Sequence, residues 1–105
     1  MNAPLTLRVR VRAMTWEAQA IVGLELVPLP PLRSLPAFSA GAHIDLHLDT
    51  PQGLLVRSYS LLNDPRETHR YVIAVLREAE GRGGSVWLHD RPRVGDVLEV
   101  RPPVN

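Results

Sequence analysis

Cysteine is absent from the 105 residues, which excludes disulfides, iron–sulfur ligation and cysteine-based zinc sites within them. The same absence fits a reducing cytoplasm. Neither sign of charge dominates, for 12 basic and 11 acidic residues leave a formal net charge of +1. Such a balance gives no drive toward nucleic acid or anionic membranes. Long apolar runs are missing too, and Arg8, Arg10 and Arg12 interrupt the apolar character of the N-terminal stretch. No signal peptide or membrane span is visible. Internal repeats and low-complexity tracts are lacking, apart from one proline-rich loop. What remains is an ordinary globular composition, 45% hydrophobic and 22% charged, at a length suited to one domain over 1–105. A chain of that size can bury a single modest core.

Period-two alternation marks the strands. Leu5, Leu7, Val9 and Val11 alternate with Thr6, Arg8, Arg10 and Arg12, the pattern of a half-buried antiparallel strand. A second strand is expected over 20–27, paired with the first across the Trp16 region. Pro28, Pro30, Pro31 and Pro36 lack the donor that a ladder needs, so 28–40 reads as a loop. Gly41 opens a third strand, with Ile44, Leu46 and Leu48 inward and His43, Asp45, His47 and Asp49 outward. Thr50-Pro51-Gln52-Gly53 is a turn by composition, proline setting one φ and glycine supplying a positive one.

Residues 54–62 read as a fourth strand, and Asn63-Asp64-Pro65 starts a polar connection through Thr68. The fifth strand, Tyr71 to Leu76, is continuous in apolar residues and is expected to be buried on both faces. Ser85 is a good N-cap for a short helix over 86–90, ended near Pro92. Val94-Gly95-Asp96 is a turn before a last strand over 97–100, and Pro102-Pro103-Val104-Asn105 reads as the start of an interdomain linker. Short, closely spaced strands with one late helix imply a small all-β antiparallel barrel or sandwich. A closed barrel has the advantage of removing exposed strand edges.

Two stretches carry chemistry. In Arg57-Ser58-Tyr59-Ser60-Leu61 a guanidinium fork suited to phosphate lies two residues from a phenol ring, hence on the same face of a strand. That ring can cover the face of a flat cofactor, and Ser60 can hydrogen-bond near the reactive nitrogen of a flavin. Strict alternation, however, puts Ser60 opposite Tyr59. Either the strand is twisted or bulged there, or one of the pair works through its main chain. The alternative reading of Arg57 and Tyr59 is a solvated arginine and a tyrosine at a barrel rim. In Gly81-Arg82-Gly83-Gly84-Ser85, glycines at a helix start let successive N–H groups approach an anion. The alternative is a plain helix-entry loop. The stretch is neither a P-loop nor a dinucleotide fingerprint. His43 and His47 are about 13 Å apart along a strand, too far for one small ion, so that face reads as solvated and no metal site is assigned. No catalytic nucleophile or acid–base pair is assigned either.

Together these segments resemble a known family. Arg57-Ser58-Tyr59-Ser60-Leu61 is similar to the Arg-x-Tyr-Ser signature of the ferredoxin–NADP reductase superfamily. Adding Ala40-Gly41-Ala42-His43-Ile44, Asn63-Asp64-Pro65, Arg70-Tyr71-Val72-Ile73-Ala74-Val75 and Gly81–Ser85 narrows the resemblance. The combination resembles the phthalate dioxygenase reductase branch, which includes the vanillate O-demethylase reductases. The resemblance implies a six-stranded antiparallel Greek-key barrel with one short capping helix, holding FMN rather than FAD. It further implies that Arg57 and the turn containing Gly81, Gly83, Gly84 and Ser85 hold the phosphate. Ser58, Tyr59 and Ser60 would then line the isoalloxazine and ribityl chain, with the backbone of Ala74, Val75 and Leu76 against the ring.

In that family the chain continues into a nicotinamide-binding domain and a ferredoxin domain with four cysteines, and neither lies within these residues. The whole protein is then expected to take a hydride from NADH and to pass electrons through FMN and 2Fe–2S. The recipient would be a terminal aromatic-ring oxygenase or O-demethylase component, in the cytoplasm. An FAD-binding barrel of the same superfamily and a flavin-free structural barrel are the alternatives. An isolated barrel with an uncovered apolar surface around Trp87, Leu88 and the C-terminal strand would be expected to self-associate or to be only marginally stable.

Overall fold

A computed structural model describes residues 6–77 and 93–105. The expected glycine turn over Gly81–Ser85, the capping helix over 86–90 and the apolar pair Trp87 and Leu88 lie outside the described residues.

The first strand, β1 (Leu7–Ala18), runs further than its strict alternation suggests. Val9 and Val11 are fully buried while Arg8, Arg10 and Arg12 face solvent. Beyond Val11 a register shift against the next strand marks a bulge, and the strand continues through Trp16 to a tight turn. Ala20 in that turn has a φ of 63°, a left-handed conformation that side chains with a Cβ rarely take. The second strand, β2 (Ile21–Pro28), returns antiparallel to β1. Residues 29–42 then cross one end of the barrel as the expected loop. Leu32 N–H donates to Leu29 C=O at 3.0 Å around a cis Pro30–Pro31 peptide, and Leu35 N–H donates to Thr68 C=O at 2.7 Å.

The third and fourth strands, β3 (His43–Thr50) and β4 (Gly53–Ser60), form a hairpin closed by Pro51 and Gln52. Ile44, Leu46 and Leu48 are fully buried, as the alternation requires. Thr50 Oγ1 donates to Gly53 C=O at 2.7 Å and accepts from Gln52 N–H at 3.3 Å, so the turn is cross-braced. Gly53 has a φ of +110°, and a Cβ placed there would meet nothing within 4 Å. The cost of Gly53→Ala is therefore one of backbone strain alone. We expect a loss of about 1 kcal/mol, read by urea unfolding, and an unchanged midpoint would contradict it.

The fifth strand, β5 (Tyr71–Leu76), is buried on one face only. Tyr71, Ile73 and Val75 are fully buried, whereas Val72 and Ala74 are half-buried and Leu76 is 49% exposed. The expectation of burial on both faces fails because β5 is an outer strand of the sheet, with no layer over its second face among the described residues. The last strand, β6 (Val97–Val104), extends through both prolines expected to start a linker. The pairing shows how. β1 accompanies β6 only as far as Val100, and opposite β3 the interval from Arg101 to Val104 holds one residue more than that from His43 to Asp45. Pro102 and Pro103 thus sit in a bulge opposite β3, beyond the last β1 partner among the described residues, where missing N–H donors cost least.

The strand order is β4-β3-β6-β1-β2-β5, all neighbours antiparallel. Two hairpins, β1–β2 and β3–β4, are joined by β6 between them, and β5 returns beside β2. The sheet curls so that β4 and β5 come into contact, giving a six-stranded Greek-key barrel around one core. Of the two architectures open from strand patterns alone, the barrel is the one formed.

Candidate functional site

β4 and β5 are the two ends of the ladder, so where they meet the barrel has a seam rather than a continuous sheet. The seam is closed at one end, where Leu62 N–H donates to Val72 C=O at 2.9 Å. β4 runs toward that link and β5 runs away from it. The seam therefore opens from the Leu62–Val72 bond toward Leu76.

Main-chain direction decides what faces the seam. In a strand, the N–H and C=O of one residue point to the same side, and successive residues alternate. Leu61 N–H donates to Ala42 C=O at 2.9 Å, on the β3 side. The odd-numbered residues of β4 thus serve β3, and Ser58 and Ser60 turn their main-chain groups to the seam. On β5, Arg77 N–H donates to Ala20 C=O at 2.7 Å, toward β2, while Val72 C=O accepts from Leu62. Ala74 and Leu76 share the parity of Val72 and present their main-chain groups to the seam. Val75 serves β2, in register with Val22, with its side chain in the core.

This arrangement answers the question that alternation raised about Ser60. The β3–β4 register runs without a shift from His43↔Ser60 to Thr50↔Gly53. No bulge brings the Ser60 side chain to the Tyr59 face. Ser58 and Ser60 point their side chains to the outer surface, where the Ser58 hydroxyl donates to the Asp45 carboxylate. Asp45 in turn lies 3.9 Å from the Arg101 guanidinium. What the two serines can offer the seam is main chain.

Arg57 and Tyr59 share the inward face with their register partners Leu46 and Ile44. Tyr59 is half-buried and packs on the core. The Arg57 side chain folds onto the open edge of its own strand, its Nη1 donating to Val56 C=O at 2.9 Å. By parity that carbonyl also faces the seam. The neighbouring Nη2 is buried and has no hydrogen-bond partner among the described residues. Leaving a buried cationic donor unsatisfied is costly, so an acceptor placed beside it would be favoured. The structure thus brings Arg57, Tyr59 and the main chains of Ser58, Ser60, Ala74 and Leu76 to one seam. Gly81, Gly83, Gly84 and Ser85 lie outside the described residues.

Sequence reasoning passed over one contributor. The sequence marks Asn63 only as the start of a polar connection, yet its amide bridges the closed end of the seam, with Nδ2 donating to Arg70 C=O and Oδ1 accepting from Val72 N–H, each at 2.9 Å. An asparagine directly after a strand, before Asp-Pro, was the available signal.

A six-stranded Greek-key barrel with such a seam is the architecture of the ferredoxin–NADP reductase-type flavin-binding barrel. The solved structure of phthalate dioxygenase reductase, a modular protein for electron transfer from pyridine nucleotides to [2Fe–2S], superposes with a TM-score of 0.86 at 41% identity, covering 95% of this chain and 30% of that one. Among curated relatives, a phenoxybenzoate dioxygenase subunit beta of Ectopseudomonas oleovorans is 52% identical over 98% of the chain and 30% of its own length. A phthalate 4,5-dioxygenase reductase subunit of Pseudomonas putida is 51% identical over 91% of the chain and 28% of its own length. A vanillate O-demethylase oxidoreductase of the same species is 49% identical over 85% of the chain and 27% of its own length. No family model matches. The chain belongs to the phthalate dioxygenase reductase and vanillate O-demethylase reductase family, whose members are oxidoreductase components, and it corresponds to their flavin-binding barrel. It spans just under a third of the length of these relatives. Among the described residues no helix is long and apolar enough to cross a membrane.

Proposed function

We propose that this barrel binds FMN in the β4–β5 seam as the flavin module of an NADH-dependent reductase component. The observation that carries the reading is Nη2 of Arg57, buried at the edge of the seam and without a hydrogen-bond partner among the described residues. A guanidinium held there suits the doubly charged phosphate of FMN. The main-chain groups of Ser58, Ser60, Ala74 and Leu76 offer alternating donors and acceptors to the polar edge of an isoalloxazine, and the Tyr59 ring offers an apolar face. Val75 supports this edge from within the core. Gly81, Gly83, Gly84 and Ser85 would complete the phosphate cradle. A bound flavin supplies the conversion between a hydride equivalent and single electrons.

The relatives support the rest of the reading. In the whole protein, a nicotinamide-binding domain would supply the hydride from NADH. A ferredoxin domain with 2Fe–2S would carry electrons to a terminal aromatic-ring oxygenase or O-demethylase, in the cytoplasm. On this reading the barrel alone does not turn over NADH efficiently, because a separate domain would orient the nicotinamide against the flavin.

Titrating the chain with FMN, FAD and riboflavin tests the proposal. FMN is expected to bind at least tenfold more tightly than riboflavin, which differs from it by the phosphate alone. Preference for FAD would move the chain to the FAD-using reductases, and binding of no flavin would leave a structural barrel.

A further inference from the structure

The connection from β4 to β5 is more heavily braced than its length requires. Asp64 C=O accepts from Glu67 N–H at 2.9 Å, and the Asp64 carboxylate accepts from Arg66 N–H at 2.9 Å and from its guanidinium at 2.7 Å. That guanidinium holds the Asp64 carboxyl below the usual carboxylate range. Arg70 Nε donates to Glu67 at 2.9 Å and does the same to its carboxyl. The Arg70 guanidinium also lies 3.7 Å from Glu25 on β2. The loop is thereby held as one rigid turn, and Asn63 is its contact with the seam.

We propose that Asn63 is a positioning residue for the flavin, acting as a clasp that sets the opening of the β4–β5 seam. This rests on the seam being the flavin site. Val72 directs both main-chain groups away from β2. Its C=O meets Leu62 N–H, and its N–H meets Asn63 Oδ1 instead of a strand carbonyl. The side-chain amide therefore takes the place of the ladder bond that would otherwise continue β4 along β5. Two residues before Val72, Arg70 C=O accepts from Asn63 Nδ2. A true ladder bond here would draw β4 and β5 together along their length and close the seam. Without the amide, the Leu62–Val72 bond alone would hold the apex. A short amide helps to pin the apex and leaves the main chains of Ser60 and Ala74, further along, outside any β4–β5 ladder. Asn63 touches the flavin nowhere in this account; it fixes how far apart the main chains of Ser60 and Ala74 stand. The isoalloxazine edge reads that spacing, whereas the phosphate does not.

The test compares wild type with Asn63→Ala and Asn63→Asp. The aspartate keeps an acceptor for Val72 N–H and loses the donor to Arg70 C=O and to the Glu67 carboxyl. In Asn63→Ala, FMN and riboflavin affinities are expected to fall together, each by about tenfold, with the FMN-to-riboflavin ratio unchanged. The visible circular dichroism and fluorescence quenching of bound FMN should change, and Asn63→Asp should restore both in large part. In the flavin-free protein, amide exchange at Val72 should quicken in Asn63→Ala and recover in Asn63→Asp. If Asn63→Ala fails to fold, Asn63→Asp against wild type decides through the exchange at Arg70 and Val72 and the flavin signature. Wild-type affinity, spectra and Val72 exchange in Asn63→Ala would overturn the inference. So would quickened exchange with an unaltered flavin signature, which leaves Asn63 a purely structural brace. A wild type that binds no flavin would instead overturn the function proposed above, while the exchange data would still report whether the clasp exists.

Discussion

Arg57→Ala is expected to weaken FMN by about thirtyfold while riboflavin loses little. The estimate follows from one charge-assisted hydrogen bond to phosphate, about 2 kcal/mol. The structure makes the substitution unusually clean. Among the described residues Nη2 is buried without a hydrogen-bond partner, so the substitution removes an unsatisfied donor along with the Nη1 bond to Val56 C=O. The stability of the free barrel should therefore change little, the lost packing of the arginine stem offsetting the relief of the buried donor. Stabilisation by saturating FMN should shrink in step with the lost affinity. Arg57→Lys should recover part of the affinity, since it restores charge without the fork that engages two acceptors. Titration of both ligands against all three proteins reads the result. Equal losses for FMN and riboflavin would remove Arg57 from the phosphate and make it a wall of the seam.

The contrast with Asn63 gives the two predictions a common frame. Loss at Arg57 should change the ratio of FMN to riboflavin affinity. Loss at Asn63 should change both affinities and leave the ratio alone. One residue addresses the phosphate and the other the ring.

The strands were legible wherever one face met the core and the other met water. Val9 and Val11 in β1, and Ile44, Leu46 and Leu48 in β3, are buried as period two demands. The family was legible from the ordered motifs, and Arg57 and Tyr59 were placed on one face correctly. Less legible was everything that depends on main-chain direction or on distant partners. Whether Ser60 works by side chain or main chain turns on the unshifted β3–β4 register, which no local pattern reveals. β5 misled because an apolar run looks alike whether one face or two are covered. Pro102 and Pro103 misled because proline argues against a strand unless a bulge accommodates it, as the one between β6 and β3 does here. Asn63 was hidden because its partners, Arg70 and Val72, are seven and nine residues away.

Tyr71 also has a distant partner, and its loss should damage the fold most. Its side chain is fully buried. Its hydroxyl donates to Pro36 C=O at 2.6 Å, and its ring meets Phe38 edge-on, with centroids 5.7 Å apart and planes at 79°. The proline-rich loop is thus tied to the start of β5, next to the clasp at the apex of the seam. Tyr71→Ala should cost about 4 kcal/mol in urea unfolding, by cavity formation and the stranded Pro36 carbonyl. That is a large fraction of what a domain of this size commands. Tyr71→Phe keeps the ring and should cost about 1 to 2 kcal/mol. The pair also separates by pH. Burial pushes the Tyr71 phenol well above its ordinary value, so the folded chain keeps a proton that the unfolded chain releases near pH 10. The contribution is fully present below that pH and is lost as pH rises toward the folded value. Wild type should therefore lose stability faster than Tyr71→Phe between about pH 9 and 11. Parallel curves over that range would show that the phenol is not held protonated by the fold, and a cost for Tyr71→Ala no greater than for Tyr71→Phe would show that its ring does not anchor the loop.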